Sequence, residues 1–277
     1  VRLVGSEMCI RDRKNDDNAL EMYTLQCRNH ILKPLAEKYG IDTSDEAIRA
    51  AVEQHNEVCR LIRAIGDFRK EANPRVTGYE FHILTLVSYV APKHLIVDKL
   101  RETLEEIKTR EPDAADKYRA RVVFVGSEVD DVDVIRLVEE SGAYVCADRF
   151  CYGSLPGRDE IILNDDEDVV KQVCRQVQGR AQCPRYWDMA KMTGRRDYVA
   201  DLAKEYGADG IIYEQMKFCD PWAYERMIGT IVFRDEHGYP VLAVDRPYSI
   251  GSSGQMRTRV QAFVESIEIK KIQGGKK

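Results

Sequence analysis

The chain has 277 residues, of which 44% are hydrophobic and 32% are charged, and its formal net charge is −5 at pH 7. This composition can form the core of one large domain or two small ones, and it excludes intrinsic disorder, collagen-like repeats and a multi-span membrane protein. The negative charge provides no bulk positive field that would attract nucleic acid or anionic lipid.

The first residues are predicted to be foreign to the protein. Residues 1–13 read VRLVGSEMCIRDR, which is similar to a translated sequencing-adapter segment, LVGSEMCIRD, that is found fused to fragmentary gene models. Segments of this kind carry no information about the fold of the natural protein. We therefore expect Cys9 to have no function, and we expect the natural chain to begin upstream of Lys14.

Residues 14–118 are predicted to form a helical linker region. Apolar residues three and four apart predict helices over 19–38 and 45–70, and two more helices are expected over 81–90 and 93–110. Gly40 and the Asn73–Pro74 pair are expected to end the first two. The histidines of this region lack the spacing of a metal site, so structural or solvated roles are expected for them.

Residues 119–277 show a different pattern, in which strands alternate with helices. Apolar, often β-branched runs predict strands over 121–126, 143–148, 210–215 and 240–245. Helices are expected over 131–140, 166–178, 195–206, 221–235 and 255–269. This alternation favours an α/β fold, with a flavodoxin-like parallel sheet covered by helices on both faces.

The eight cysteines are unusual for a chain that lacks a secretory signal peptide. Their density is too low for a secreted disulfide scaffold, and a cytoplasmic location is expected. Structural roles are expected for the cysteines that lie in helix-like or strand-like patterns, because free cysteine is among the most buried residue types. These are Cys27, Cys59, Cys146 and Cys174.

The remaining three cysteines follow strands or lie in irregular links. Cys151 follows the second predicted strand, Cys219 follows the third, and Cys183 could reach the same edge from an irregular link. Ligands of open α/β sheets bind beyond the carboxyl ends of the strands. Three thiols there would suit iron–sulfur, zinc or copper(I). The spacing is not a local CxxC pair, so a catalytic thiol at Cys219 or inert cysteines remain alternatives.

A glycine-rich loop follows the fourth predicted strand. Gly251–Gly254 opens a helix, and its backbone N–H groups could bind an anion. The loop lacks the GxxxxGK[ST] pattern, which argues against nucleotide hydrolysis. Arg257 and Arg259 in the next turn could bind an anion or pair with surface acids, and a plain strand-to-helix turn remains the alternative.

Several segments together resemble one family, the 2-hydroxyacyl-CoA dehydratase / benzoyl-CoA reductase family. They are the segment KFCD at 217–220, the strand at 240–245, and the block GSSGQMRTRVQAFVE at 251–265. The turn around Glu139–Ala143 and the helical segment 50–63 fit the family as well. The resemblance extends over about residues 20–267 of the chain.

The resemblance implies a subunit that carries an iron–sulfur cluster, either a 4Fe-4S cluster or a double-cubane cluster. It implies a paired homologous subunit in a heterodimer, and a separate ATP-hydrolysing iron–sulfur activator protein that injects one electron. In the dehydratases of this family, that electron reaches the thioester carbonyl of a 2-hydroxyacyl-CoA substrate. A ketyl radical anion forms, hydroxide leaves, and the electron is recycled. The substrate that the resemblance implies is an acyl-CoA of anaerobic metabolism.

The resemblance also assigns roles to residues of this sequence. Cys219 matches the cluster-ligating cysteine of the family's KFCD segment. Cys183 and Cys151 match positions where many members have cysteine or polar loop residues, and they are the further candidate ligands, although Cys151 could instead line the substrate pocket. Substrate binding is expected at four positions of the glycine-rich block: Ser252, Gly254, Gln255 and Arg257. The family's other ligands lie in an N-terminal domain that is expected to precede Lys14.

Three alternatives remain open at this point. The chain could be a benzoyl-CoA-reductase-like subunit or a double-cubane-cluster protein that reduces small molecules, because Cys151 and Cys183 would supply extra ligands. It could also be a non-catalytic partner that only relays electrons. No catalytic residue is assigned from the sequence.

Overall fold

The computed structural model describes residues 16–114, 116–154, 159–180, 182–185, 189–248 and 253–274. The chain divides into two compact units, one made of residues 1–60 and 156–192 (unit 1), and the other of residues 61–155 and 193–277 (unit 2). The segment 1–13 that is expected to be foreign lies outside the described residues.

The described elements follow each other as a helical series and then as alternating strands and helices. In chain order they are α1 (Asp17–Cys27), a π-helical segment (Arg28–Leu32), α2 (Lys33–Tyr39), α3 (Asp45–Asp67), a 3₁₀ turn (Phe68–Lys70), α4 (Gly78–Val90), α5 (Lys93–Thr109), β1 (Ala120–Val125), α6 (Val132–Glu140), β2 (Ala143–Arg149), α7 (Val169–Arg180), α8 (Met189–Glu205), β3 (Gly210–Met216), α9 (Asp220–Asp235), β4 (Val241–Arg246) and α10 (Ser253–Gly274). Among these helices, none has both the length and the apolar character needed to span a bilayer.

The single helix expected over 19–38 is interrupted in the structure. A π-helical turn, closed by a hydrogen bond from the Lys33 N–H to the Arg28 carbonyl, separates α1 from α2. Pro34 supplies a physical reason, because it has no N–H to donate to the carbonyl four residues earlier and its ring crowds that carbonyl. Gly40 ends α2 with a φ of 64°, the left-handed conformation that glycine adopts without strain.

Unit 1 has a small apolar core between α1 and α7. Leu20 on α1 packs with Val170 and Cys174 on α7. A buried amide adds a polar link, since the Asn56 side chain donates to the Ile161 carbonyl at 2.9 Å and accepts from the Ile161 N–H at 2.8 Å. These contacts hold segments that are more than a hundred residues apart in the chain.

Unit 2 is built on the predicted parallel sheet. Its strand order is β2-β1-β3-β4, and every neighbouring pair is parallel. The α/β fold class is therefore confirmed, and the order agrees with the flavodoxin-like arrangement. Each strand lies within one residue of its predicted bounds, because long β-branched runs between turn residues are a strong signal.

Helices cover both faces of this sheet. Val122 and Phe124 of β1 point into one apolar cluster, which includes residues of α6 and α10. Val123 and Val125 point into the other, which includes residues of α8 and α9. The side chains of β1 are thus buried on both faces, as its continuous apolar sequence requires.

Candidate functional site

The carboxyl ends of β1 and β3 meet at the reversal of strand order in unit 2. β1 is central, and the chain passes from it outward to β2 on one side before returning to β3 on the other. In doubly wound sheets, the crevice at such a point is the usual ligand site. The loops that begin at Gly126 and Lys217 flank this crevice.

Cys219 lies in the loop beyond β3, at the first position before α9. Its N–H donates to the Met216 carbonyl at 3.1 Å, and its own carbonyl accepts the Ala223 N–H at 3.0 Å, which starts the helix. The side chain is half-buried and packs against the apolar cluster beneath α8 and α9. The N-terminus of a helix favours a negatively charged neighbour, so the position suits a thiolate.

The residue before Cys219 has an unusual backbone. Phe218 has a φ of 71°, a conformation that is uncommon for residues other than glycine, and the residue is 98% exposed. Such backbone strain is concentrated at functional sites. The KFCD segment therefore forms a tight turn that places a large apolar ring in solvent and directs Cys219 back towards the sheet.

Cys151 lies on the same edge, after β2. Its N–H donates to the Ser127 carbonyl at 3.0 Å, and its sulfur accepts the Trp222 indole N–H at 3.3 Å. Trp222 belongs to the first turn of α9, three residues beyond Cys219. The structure thus brings the loops of Cys151 and Cys219 to one edge of the sheet, as expected from the strand pattern.

A buried ionic network joins the loops along this edge. Glu214 on β3 accepts from the Ser127 N–H at 3.0 Å and the Ser127 hydroxyl at 2.8 Å, and its other oxygen lies 2.9 Å from Arg246 Nε. The Ser127 hydroxyl also accepts the Met216 N–H at 2.7 Å. A Cβ at Gly126 would lie 2.5 Å from Glu214 Oε2, so only glycine fits there.

Arg246 extends this network to the loops after β1 and β4. It donates to the carbonyls of Pro247 and Tyr248 at 3.2 and 3.1 Å, and also to the Glu128 carbonyl. Its own carbonyl accepts the Lys217 N–H at 2.8 Å. The guanidinium and backbone of this one residue therefore help to position the KFCD turn.

The network has a predicted pH dependence. Burial raises the pKa of Glu214 to about 7, and Arg246 and Ser127 offset this only in part. The unfolded chain ionises this carboxyl near its ordinary pKa of 4.5, while the folded protein retains the proton to higher pH. We therefore expect the free energy of unfolding to decrease from about pH 5 to about pH 7, measured by urea denaturation.

The Glu214→Gln variant should show a shallower decrease over the same pH range, because it removes the titrating carboxyl. Glu140→Gln, at an exposed position on α6, is the matched control and should keep the wild-type slope. An identical slope in Glu214→Gln and wild type would contradict the assignment.

A second buried ion pair anchors the loop that carries Cys151. Asp148, at the end of β2, pairs with Arg69 Nη1 at 2.9 Å and accepts the Ser154 N–H at 2.7 Å. Burial alone would raise the pKa of Asp148, but the charge of Arg69 and the N–H of Ser154 outweigh it and leave the pKa lowered. Gly153 passes so close to Asp148 that a Cβ would collide with the carboxylate.

A small pocket of about 30 Å³ lies beside the start of α10, next to the end of β4. Gln255, Met256 and Arg259 line it, together with Arg246. Arg259 also donates to the Ala243 carbonyl at 2.6 Å. The pocket combines apolar walls with the charged residues Asp245, Arg246 and Arg259, and only a small part of a ligand would fit into it.

Of the other three residues expected to bind substrate, the structure describes two. Gly254 lies in the first turn of α10, where nothing would contact an added Cβ. Arg257 pairs with Glu140 at 2.8 Å on the surface, which is the surface-acid alternative considered for it. Ser252 lies outside the described residues. Substrate binding by these residues stays a prediction.

Cys183 belongs to unit 1 and is half-buried. Across the described residues, no three or more His, Cys, Asp or Glu side chains are grouped closely enough to hold a metal ion. The ligand roles of Cys219, Cys183 and Cys151 therefore stay predictions.

Sequence reasoning did not single out Glu214, Arg246 or Trp222. A glutamate inside the apolar run GIIYEQ was a possible signal, since a charged residue in a buried strand requires a partner. Nothing in the sequence indicated that this partner would be Arg246.

The comparisons with known proteins identify the family. The profile described as "2-hydroxyglutaryl-CoA dehydratase, D-component" matches residues 7–267. The chain belongs to this family. The matched range begins inside the segment 1–13.

Several curated proteins are similar to the chain along most of its length. It is 25% identical over 228 residues to the (R)-phenyllactyl-CoA dehydratase beta subunit of Clostridium sporogenes, covering 82% of this chain and 59% of that protein. It is 23% identical over 257 residues to a benzoyl-CoA reductase subunit of Thauera aromatica, covering 92% and 65%. For the (R)-2-hydroxyglutaryl-CoA dehydratase beta subunit of Acidaminococcus fermentans, the identity is 23% over 254 residues, covering 89% and 64%.

The chain thus spans about three fifths of the length of these relatives. At these identities, the comparisons establish distant homology to subunits of acyl-CoA dehydratases and of benzoyl-CoA reductase.

Proposed function

We propose that this chain is an iron–sulfur subunit of an ATP-activated, radical-type 2-hydroxyacyl-CoA dehydratase. The observation that carries the proposal is the family match over residues 7–267, combined with the position of Cys219 at the carboxyl edge of the sheet. Two of the relatives are named as dehydratase beta subunits. The expected product is the 2,3-unsaturated acyl-CoA, formed with release of one water molecule.

The residues at this edge fit an iron–sulfur cluster in donor type. Thiolates are the usual ligands of such clusters, and Cys219 lies in a turn that is hydrogen-bonded to the start of α9 and to the backbone of Arg246, the partner of Glu214. We propose Cys219 as one ligand, with Cys151 and Cys183 as further candidates. The ligand set would be completed by residues outside the described part of the chain or by a partner subunit.

When bound, such a cluster would supply one electron at low potential, which is needed because the β-hydrogen of the substrate is not acidic. The residues of this chain would bind and orient the thioester. Gln255 and Arg259 line the small pocket at the start of α10, and their side chains can hold polar or anionic groups of a coenzyme A ester. Ser252, Gly254 and Arg257 are proposed to extend this contact through the start of α10.

The proposal includes partners. The relatives named beta subunits support a paired homologous subunit, and we propose that the pair receives its electron from an ATP-hydrolysing iron–sulfur activator.

A benzoyl-CoA-reductase-like subunit is the second candidate. The identity to the benzoyl-CoA reductase subunit equals that to the 2-hydroxyglutaryl-CoA dehydratase beta subunit, at 23%. Mass analysis of the products separates the two reactions, because a dehydratase releases water from a 2-hydroxyacyl-CoA whereas a reductase adds hydrogen to benzoyl-CoA. Both assays would contain the partner subunit, the activator and ATP.

Replacing Cys219 should remove bound iron. We expect the anaerobically purified chain to take up ferrous iron and sulfide and to show the broad visible absorbance of a thiolate-ligated cluster. In Cys219→Ser, bound iron and absorbance should fall several-fold, because a hydroxyl is a poor replacement for a soft thiolate ligand. Iron analysis and absorbance spectroscopy measure both.

Cys146→Ser is the matched control for this experiment. Cys146 is fully buried in β2, and its thiol donates to the Val122 carbonyl at 3.3 Å, so it cannot reach a cluster at the strand ends. This variant should keep the iron. A wild-type chain that stays colourless and iron-free, also in the presence of its partner subunit, would contradict the proposal.

A further inference from the structure

Two cysteines outside the candidate site face each other within unit 1. On α1, Leu20, Thr24 and Cys27 are four and three residues apart, which places them on one side of the helix. On α7, Val170 and Cys174 are four residues apart and likewise share one side. These two sides pack against each other in the small core of unit 1.

The two cysteines lie within this contact. Cys174 is only 4% exposed and belongs to this small core, and Cys27 packs against the same core. Both cysteines are free, and Cys27 is half-buried, so reagents can approach the pair from its side. Burial, together with the neighbouring Cys27, raises the pKa of Cys174 to about 12.

An exposed ion pair joins the two helices next to the thiols. Arg28, directly after Cys27, forms an ion pair with Asp168 at the start of α7. Asp168 also accepts the Lys171 N–H at 2.7 Å, which caps that helix. Cys27 lies where α1 passes into the π-helical turn, a local irregularity that is frequent at functional sites.

We propose that Cys27 and Cys174 form a reversible dithiol–disulfide site that reacts with low-molecular-weight disulfides. Two cysteines that pack in one small core need only a modest movement to bring their sulfur atoms to the bond length of about 2.05 Å. The disulfide would connect residues 27 and 174 and would lock α1 onto α7. Nothing in this proposal depends on the dehydratase function or on a bound cluster.

The reaction balances with a small disulfide such as oxidised glutathione. Cys27, as the thiolate, attacks the small disulfide, and one small thiolate leaves. Cys174 then loses its proton and attacks the sulfur of Cys27, and a second small thiolate leaves. Two protein thiols are oxidised by two electrons, and the small disulfide is reduced to two thiols.

Treatment of the full chain with oxidised glutathione tests the proposal. We expect peptide mapping to find a Cys27–Cys174 cross-link that dithiothreitol reverses. The cross-linked protein should melt about 5 °C or more above the reduced form, because the disulfide restricts the unfolded chain. Hydrogen exchange of the α1 amides should slow several-fold on oxidation.

Three variants decide the outcome. Cys27→Ser should give no cross-link at Cys174, and Cys174→Ser should stop at a glutathione adduct on Cys27. Cys146→Ser, at a buried thiol in unit 2, should still form the cross-link. A wild-type chain that carries only glutathione on Cys27, or that links Cys174 to another cysteine, would overturn the proposal.

Discussion

Replacing Arg246 with methionine is expected to destabilise the folded protein by about 3–5 kcal/mol, because it leaves a buried carboxylate without its partner. Arg246 is 5% exposed and Glu214 is fully buried, so water cannot replace the lost charge. The variant also loses the bonds from Arg246 to the carbonyls of Pro247 and Tyr248. Urea denaturation gives the change in the free energy of unfolding.

The same variant should show a dependence on pH that identifies the cause. Since burial raises the pKa of Glu214 to about 7, the unpaired carboxyl can take up a proton, and the loss should be smaller at about pH 6 than at about pH 8. The double variant Arg246→Met/Glu214→Leu should recover much of the stability. Arg234→Met, at an exposed position on α9, should change stability little. A loss that is equal at both pH values and is not recovered would contradict this explanation.

Replacing Arg69 with methionine should also lower the free energy of unfolding by about 3–5 kcal/mol, because it leaves the buried Asp148 carboxylate without its partner. Arg69 and Asp148 are both nearly inaccessible, and the guanidinium also lies 3.7 Å from the centre of the Phe81 ring. Thermal and urea unfolding measure the loss.

The stabilisation by the Arg69–Asp148 pair changes with pH in the opposite direction from that of the Glu214–Arg246 pair. Because Arg69 contributes to the lowered pKa of Asp148, its stabilisation is present above the ordinary pKa of 3.8 and is lost as the pH falls below it. Arg69→Met should therefore lose less stability than the wild type on acidification. Arg101→Met, on the exposed side of α5, is the control and should behave as the wild type. Equal free energies of unfolding for Arg69→Met and Arg101→Met would contradict the stabilisation that we expect from the buried Arg69–Asp148 pair.

The strands of unit 2 were predictable from the sequence to within a residue. The runs RVVFV, AYVCAD and GIIYEQ combine continuous apolar character with turn residues at both ends, and this combination occurs in strands buried on both faces. The π-helical turn between α1 and α2 was not predicted, because a periodicity argument averages over the local effect of Pro34.

The candidate site was predictable only in part. The rule that ligands bind at the carboxyl ends of parallel strands places Cys151 and Cys219 on one edge from the strand pattern alone. It could not predict that the Trp222 indole would donate to Cys151, or that Glu214 would be paired with Arg246. Those contacts join residues far apart in the chain, and the sequence contains no local signal for them.

The amino-acid sequence by itself determined the class of fold, the strand bounds and the family, because periodicity and short motifs are properties of neighbouring residues. The tertiary structure alone decided which charges are buried together and which thiols share one core. Both depend on the packing of distant segments: burial in the sheet raises the pKa of Glu214, and the packing of α1 on α7 places Cys27 in the same core as Cys174.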